Sequence, residues 1–186
     1  MGEHVCPWWL AYTFDNPLRR VFHNPAKMLG PYVDNGMTVL DVGCGMGFFS
    51  MGLARLVGDS GTVISADVQP KMLSKLHKRS QKAGVANIIR LQQCAPGKLG
   101  VDTAVDFILA FWMVHEVSDL KTFFEQIRAC LKSDAMMLIA EPRFHVSPKR
   151  FGEILLSAQS FGLDLYGKPA IKLSHSAVFK NNALKE

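Results

Sequence analysis

From about residue 37 onward the chain alternates short β-rich runs with helical stretches, and this alternation restricts it to a parallel sheet covered by helices on both faces. The runs Thr38 to Val42, Thr62 to Ala66, Asn87 to Leu91, Ala104 to Phe111 and Ala135 to Ala140 read as strands. Between them, Phe48 to Val57 reads as a helix stopped by Gly58, and Pro70 opens a second to about Ala83, with Met72, Leu73 and Leu76 inward. Ser118 is the expected cap of a third, running to about Leu131, whose Leu120, Phe123, Phe124 and Ile127 fall at i, i+3, i+4, i+7. Ser147-Pro148 opens a fourth, to about Phe161. Two last β-rich pieces, Leu163 to Tyr166 and Ser174 to Phe179, lie too close together for a crossover helix, so the sheet should end in an antiparallel hairpin. The expected fold is a three-layer, doubly wound, mostly parallel seven-stranded sheet.

Residues 1–36 stand outside the alternation and 37–186 within it. With 186 residues, 48% of them apolar, the chain can bury one ordinary core without staples. Its longest apolar run, Phe107 to Val114, is far too short to span a membrane, and the start shows no cationic segment followed by an apolar one. Cys6, Cys44, Cys94 and Cys130 form no C-x-x-C pair and read as reduced thiols of a cytoplasmic protein. A net charge of +5 reads first as a solvated basic surface.

The chemistry is concentrated in Asp41-Val42-Gly43-Cys44-Gly45-Met46-Gly47, where the first strand hands over to the first helix. Glycines there allow a sharp turn and bring a ligand against bare main chain and a helix N-terminus. Asp67, closing the second strand, suits a pair of ribose hydroxyls. A dinucleotide fingerprint would need glycine at 48, where this chain has Phe48, and Asp41 favours a cationic ligand over a diphosphate.

These residues resemble the class I S-adenosylmethionine-dependent methyltransferases, over roughly residues 30 to 180. The resemblance implies a Rossmann-like methyltransferase fold, with S-adenosylmethionine as cofactor and S-adenosylhomocysteine as its product. It places Gly43, Gly45 and Gly47 around the amino-acid end of the cofactor, beside Asp41 and Phe111, and Asp67 on the ribose. The run Phe111 to Asp119 is similar to the fourth-strand segment of the quinone-biosynthesis C-methyltransferase and small-molecule subgroup. Leu131-Lys132-Ser133-Asp134 stands where that subgroup has L-K-P-G-G, opposite the catalytic face, so no loss of activity is expected. Gln93-Cys94-Ala95 replaces the family's G-D-A. Cys94 is a poorer acceptor than aspartate, which leaves adenine to the Ala95 backbone N–H and to apolar packing flanked by Val68 and Gln69.

In an open α/β sheet the ligand crevice lies outside the carboxyl ends of the strands. His115 and Glu116 follow the fourth strand, Glu141 and His145 the fifth, and an antiparallel last strand returns His175 to the same end. Three readings stand side by side. These side chains cap helices and loops; or His115 or His145, with Glu116 nearby, does acid/base work; or His115, Glu141 and His145, with or without Cys6, hold a metal or metalloid. Trp8, Trp9, Tyr12 and Phe14 look like a lid, with His4 nearby and Trp112, Glu141 and His175 lining the pocket beneath it. The enzyme expected is a methyltransferase acting on a small, partly apolar acceptor. The alternative is a non-catalytic regulatory protein that binds S-adenosylmethionine or metal. Nucleic acid is disfavoured, because the basic helix from Lys71 to Lys82 has no interleaved aromatics.

Overall fold

The computed structural model describes residues 22–182. A short helix α1 (Pro25–Leu29) leads into β1 (Thr38–Val42), α2 (Phe48–Val57), β2 (Thr62–Asp67), α3 (Pro70–Lys82), β3 (Ile89–Gln93) and β4 (Val105–Phe111). A 3-10 turn (Val114–Glu116) and α4 (Leu120–Cys130) precede β5 (Leu131–Pro142), α5 (Pro148–Ser160), β6 (Asp164–Gly167) and β7 (Ser174–Lys180). The seven strands lie in the order β3-β2-β1-β4-β5-β7-β6. Strands β1 to β5 run parallel, and β7 enters antiparallel between β5 and β6.

Period-two alternation divides the strands' side chains between two apolar layers. Leu40, Val42, Ile108 and Ile139 pack with Phe123, Phe124 and Ile127 of α4 and Ile154 of α5. Val39, Val63, Phe107 and Leu109 pack with Leu29 of α1, Phe49 and Leu53 of α2, and Leu76 of α3. Phe124 is completely buried, which stabilises the fold by about 1.5–3 kcal/mol.

Three local expectations are corrected. The cap of α4 is Asp119, not Ser118, because the Asp119 carboxylate accepts both the Thr122 N–H at 3.1 Å and the Thr122 hydroxyl at 2.6 Å. The third strand starts two residues later than expected, since Ile88 closes a turn onto the Val85 carbonyl. The fifth strand begins at Leu131, with its register against β4 shifting between Val105 and Phe107. Asp134 occupies the left-handed region there, at φ +64°, and pairs with Lys180 at 2.7 Å. The L-K-S-D segment is therefore a strand irregularity rather than a free turn. Among the described residues no helix is long and apolar enough to cross a membrane.

Candidate cofactor and acceptor site

β1 ends where the Gly43 and Cys44 N–H groups both donate to the Ala66 carbonyl, which folds the loop back over β2. Gly43, Gly45 and Gly47 all have positive φ, at 67°, 53° and 82°. Their surroundings differ. An ideal Cβ at Gly43 would lie 2.8 Å from Met113 Cβ, and one at Gly47 would lie 2.0 Å from Leu76 Cδ1. At Gly45 nothing among the described residues lies within 4 Å, so they leave this face of the loop open to a ligand. Arg79 on α3 donates to the Met46 carbonyl at 2.9 Å and ties the loop to the helix behind it.

Two buried acids support this loop. Asp41 points to the α2 side of β1, where it accepts the Ser50 hydroxyl at 2.6 Å. Asp67 accepts the Gly45 N–H at 2.9 Å through one oxygen and the Gln69 N–H at 2.8 Å through the other. Burial raises its pKa, and the backbone N–H groups of Gln69 and Gly45 offset part of that rise. Each oxygen keeps lone-pair capacity for a further donor, so a pair of ribose hydroxyls can be accepted together. Cys44 stays a neutral thiol, since burial and the charges of Asp41 and Asp67 push its pKa well up.

The adenine side is more closed than expected. The Cys94 thiol donates to the Leu99 carbonyl at 3.2 Å, and burial with the charge of Asp67 pushes its pKa to about 11. The Ala95 N–H, expected to hold adenine, already donates to the Lys98 carbonyl at 3.2 Å. Val68 keeps 37% of its surface exposed at the end of β2 and offers apolar area where a base would stack. The loop with an open face at Gly45, Asp67 with spare acceptor capacity, and exposed Val68 together fit S-adenosylmethionine.

The end of β4 is aromatic. Trp112 takes a left-handed φ of 57°, costly for a bulky side chain, at the point where the chain leaves the sheet. Its N–H donates to the Ala140 carbonyl at 2.7 Å and its indole N–H to the Ser174 hydroxyl at 2.9 Å. The indole stacks on Phe111 at 5.3 Å and meets Phe144 edge-on at 5.5 Å. His23 is buried and packs edge-on against Phe111 at 5.0 Å and Trp112 at 5.2 Å, and its Nε2 lies 2.9 Å from the Lys172 carbonyl oxygen.

Beside this cluster, Glu141 shares the α4/α5 side of β5 with Met137 and Ile139. Its carboxylate accepts the Val114 N–H at 2.8 Å and pairs with His115 Nδ1. The His145 ring, exposed, stands 4.9 Å from that of His115. His175 is opposite Glu141 in the β5–β7 register, but its ring stacks on Phe151 of α5 at 5.4 Å. Of the expected acceptor-side residues, His115, Glu141 and His145 thus come together, Phe111 and Trp112 form a second group, and Glu116 sits one residue on in the 3-10 turn. Trp8, Trp9, Tyr12, Phe14, His4 and Cys6 lie outside the described residues.

The metal reading is not supported by the geometry. Among the described residues no group of three or more His, Cys, Asp or Glu side chains is placed to hold a metal ion, and His115 Nδ1 is engaged by Glu141. His115, Glu141 and His145 are therefore treated as a hydrogen-bonded pair and its neighbour.

Sequence reasoning missed His23 and Ser50. Ser50 was findable: it lies one turn into α2, which folds back over β1 beside Asp41. His23 was harder to find, because Phe111, Trp112 and Lys172, which it meets, are about 90 or more residues away.

The sheet order, the antiparallel β7 and a glycine loop at the first strand–helix junction define the class I Rossmann-like methyltransferase fold. A family model described as "Methyltransferase domain" matches residues 33–163, more than half of the chain, and the chain belongs to that family. It is 34% identical over 110 residues to the ubiquinone/menaquinone biosynthesis C-methyltransferase UbiE of Cellvibrio japonicus, covering 59% of this chain and 44% of that protein. It is 33% identical over 134 residues to the mitochondrial ubiquinone biosynthesis O-methyltransferase of Bos taurus, covering 70% of this chain and 34% of that one. The chain thus spans less than half the length of these curated relatives. A crystal structure of a SAM-dependent methyltransferase from Aquifex aeolicus superposes with a TM-score of 0.85 and 26% identity, over 95% of this chain and all of that one.

Proposed function

We propose that this chain transfers the methyl group of S-adenosylmethionine to a small, partly apolar acceptor, leaving S-adenosylhomocysteine. The observation that carries this reading is the aromatic wall of His23, Phe111, Trp112 and Phe144 at the end of β4, next to the glycine loop. When bound, the sulfonium supplies a methyl group that is already electrophilic. The chain's own tasks are therefore to hold donor and nucleophile in line and to keep water out. Gly45 leaves room for the donor, Asp67 takes its ribose hydroxyls, and Asp41, held by Ser50, puts negative charge beneath a cationic ligand.

Trp112 and Phe144, backed by the buried rings of His23 and Phe111, supply flat apolar surface for the acceptor, as in most small-molecule sites. The names of the relatives, which place C- and O-methylation in quinone biosynthesis, support an aromatic acceptor. We assign residues 1–36, with Trp8, Trp9 and Tyr12, the role of covering this crevice. The support is that the described part of that segment enters it through His23. A cytoplasmic location rests on the thiols Cys44, Cys94 and Cys130, all free.

The test incubates the purified chain with methyl-labelled S-adenosylmethionine and a panel of small phenols, thiols and quinol precursors. Transfer of label to at least one of them is the expected result. Tight cofactor binding with no transfer to any acceptor would instead identify a regulatory binding protein.

A further inference from the structure

Glu141 is the most deeply buried acid among the described residues, with no surface exposed to solvent. A carboxylate taken so fully out of water is tolerated only when its oxygens are paired. One oxygen accepts the Val114 N–H at 2.8 Å and so fixes the 3-10 turn, and the other holds His115 Nδ1. The two nitrogens of an imidazole lie on opposite edges of the ring. Anchoring Nδ1 on a buried acid therefore turns Nε2 away from the carboxylate, and the His115 side chain keeps 15% of its surface exposed. The hydrogen-bond pattern assigns the proton to Nδ1, facing the carboxylate, which leaves the lone pair on Nε2. A side chain that served only to fill the turn would need neither the buried charge nor the fixed tautomer.

Building on the methyl transfer proposed above, we propose that His115 is the catalytic base, that Glu141 is its positioning residue, and that the acceptor is protic, a phenol-type hydroxyl compound suited to the aromatic pair Phe111 and Trp112 that precedes His115 in the chain. In the step, the acceptor oxygen forms a bond to the methyl carbon while the carbon–sulfur bond breaks and its electron pair returns to sulfur. The hydroxyl proton passes to His115 Nε2. The imidazolium so formed is stabilised through Nδ1–H by the Glu141 carboxylate, and the proton is later lost to water. The step needs no further reactant.

The groups around His115 set its pH response. Burial lowers its pKa, but the hydrogen bond and charge of Glu141, joined by the charge of Glu116 from the same turn, outweigh this, while Arg150 on α5 opposes them. The His145 ring stands alongside, and His175 lies across from Glu141 on β7. The net result is a pKa above that of an ordinary histidine. The base is thus stronger than free imidazole, and turnover should rise with pH through a midpoint above the usual histidine value.

The first test needs no turnover. Nitrogen-15 NMR of the imidazoles in the full, cofactor-free chain should show His115 as the Nδ1–H tautomer, titrating above free histidine. In Glu141→Gln, which still offers an oxygen to Val114, the titration should move to lower pH, because burial then dominates. The second test uses an acceptor found in the panel. His115→Ala should lower kcat by about 10²–10⁴-fold with little change in the acceptor KM, and added imidazole should restore part of the loss. Glu141→Gln should move the pH midpoint of kcat downward.

An Nε2–H tautomer, or a His115→Ala enzyme with kcat within about threefold of wild type, well below what a general base supplies, would overturn the assignment. So would a wild-type chain that methylates only acceptors with no proton to lose, such as tertiary amines or thioethers. A wild-type chain that methylates nothing would refute the underlying function, whereas a wrong tautomer in a chain that does transfer methyl would refute this proposal alone.

Discussion

Gly45→Ala and Gly47→Ala form a matched pair that separates space for a ligand from space for the fold. Both glycines are left-handed, with φ +53° and +82°, so a Cβ at either costs about 1–2 kcal/mol of backbone strain. At Gly45 the new methyl meets nothing among the described residues within 4 Å, whereas at Gly47 it falls 2.0 Å from Leu76 Cδ1. Leu76 is completely buried, so it must be displaced within a close-packed layer at a further cost of about 1–3 kcal/mol. For a chain of this size 1 kcal/mol moves Tm by roughly 2–4 °C, so Gly45→Ala should lower Tm by about 2–8 °C and Gly47→Ala by about 4–20 °C.

Affinity should distinguish the pair differently. The Gly45→Ala methyl enters the open face of the loop, and affinity for S-adenosylhomocysteine should fall at least about tenfold, or ~1.4 kcal/mol, in protein that remains folded. Thermal unfolding without ligand and titration calorimetry on the same samples measure both quantities. Wild-type affinity in Gly45→Ala would refute the assignment of that open face to the cofactor, and a Gly47→Ala protein that melts no lower than Gly45→Ala would refute the packing role given to Gly47.

Asp67→Ala should weaken cofactor binding by about 1–3 kcal/mol through two lost charge-assisted hydrogen bonds. Because burial raises the Asp67 pKa, the wild-type affinity should begin to fall on acidification at a pH above the ordinary aspartate range, as the carboxyl takes up its proton; pH-resolved calorimetry checks this. Ser174→Ala removes the acceptor of the Trp112 indole N–H, and should cost about 1–2 kcal/mol in stability and raise the acceptor KM while leaving cofactor affinity unchanged. Asp134→Gly relieves a left-handed backbone but gives up the exposed pairing with Lys180 and gains entropy in the unfolded chain. The result should be a stability change within about 1 kcal/mol and unaltered turnover; a larger loss would show that the β5 irregularity matters to the site.

Elements with strong local signals are legible in the sequence. Phe48 to Val57 and Pro70 to about Ala83 carry their own starts and stops, and the short spacing before Ser174 forces an antiparallel finish. Leu131 to Asp134 was not legible as strand, because pairing with β4 overrides a turn-like composition and pushes Asp134 into a conformation usually left to glycine. At the site, the glycines and Asp67 were legible because loop, strand end and helix start are adjacent in the chain. His115 and Glu141 were legible as strand-end residues, but their contact was not. It spans 26 residues and depends on the β4–β5 register. The engagement of the Ala95 N–H was equally hidden, since it arises from a turn closing on Lys98.

The close approach of Gly43 to Met113, where a Cβ would stand 2.8 Å from Cβ of the methionine, bears on how such a chain can diversify. Met113 lies two residues before His115, so the backbone that receives the cofactor and the turn that carries the histidine touch without slack. A larger or branched side chain at 113 would be felt on both sides at once, and any gain for a new acceptor there would be offset by damage to cofactor binding. Phe144, after β5, and Leu173, before β7, are exposed and touch neither the glycine loop nor Glu141 in any hydrogen bond or ring contact of the described residues. Descendants that acquire a different acceptor should therefore carry their changes at these two positions and keep Met113.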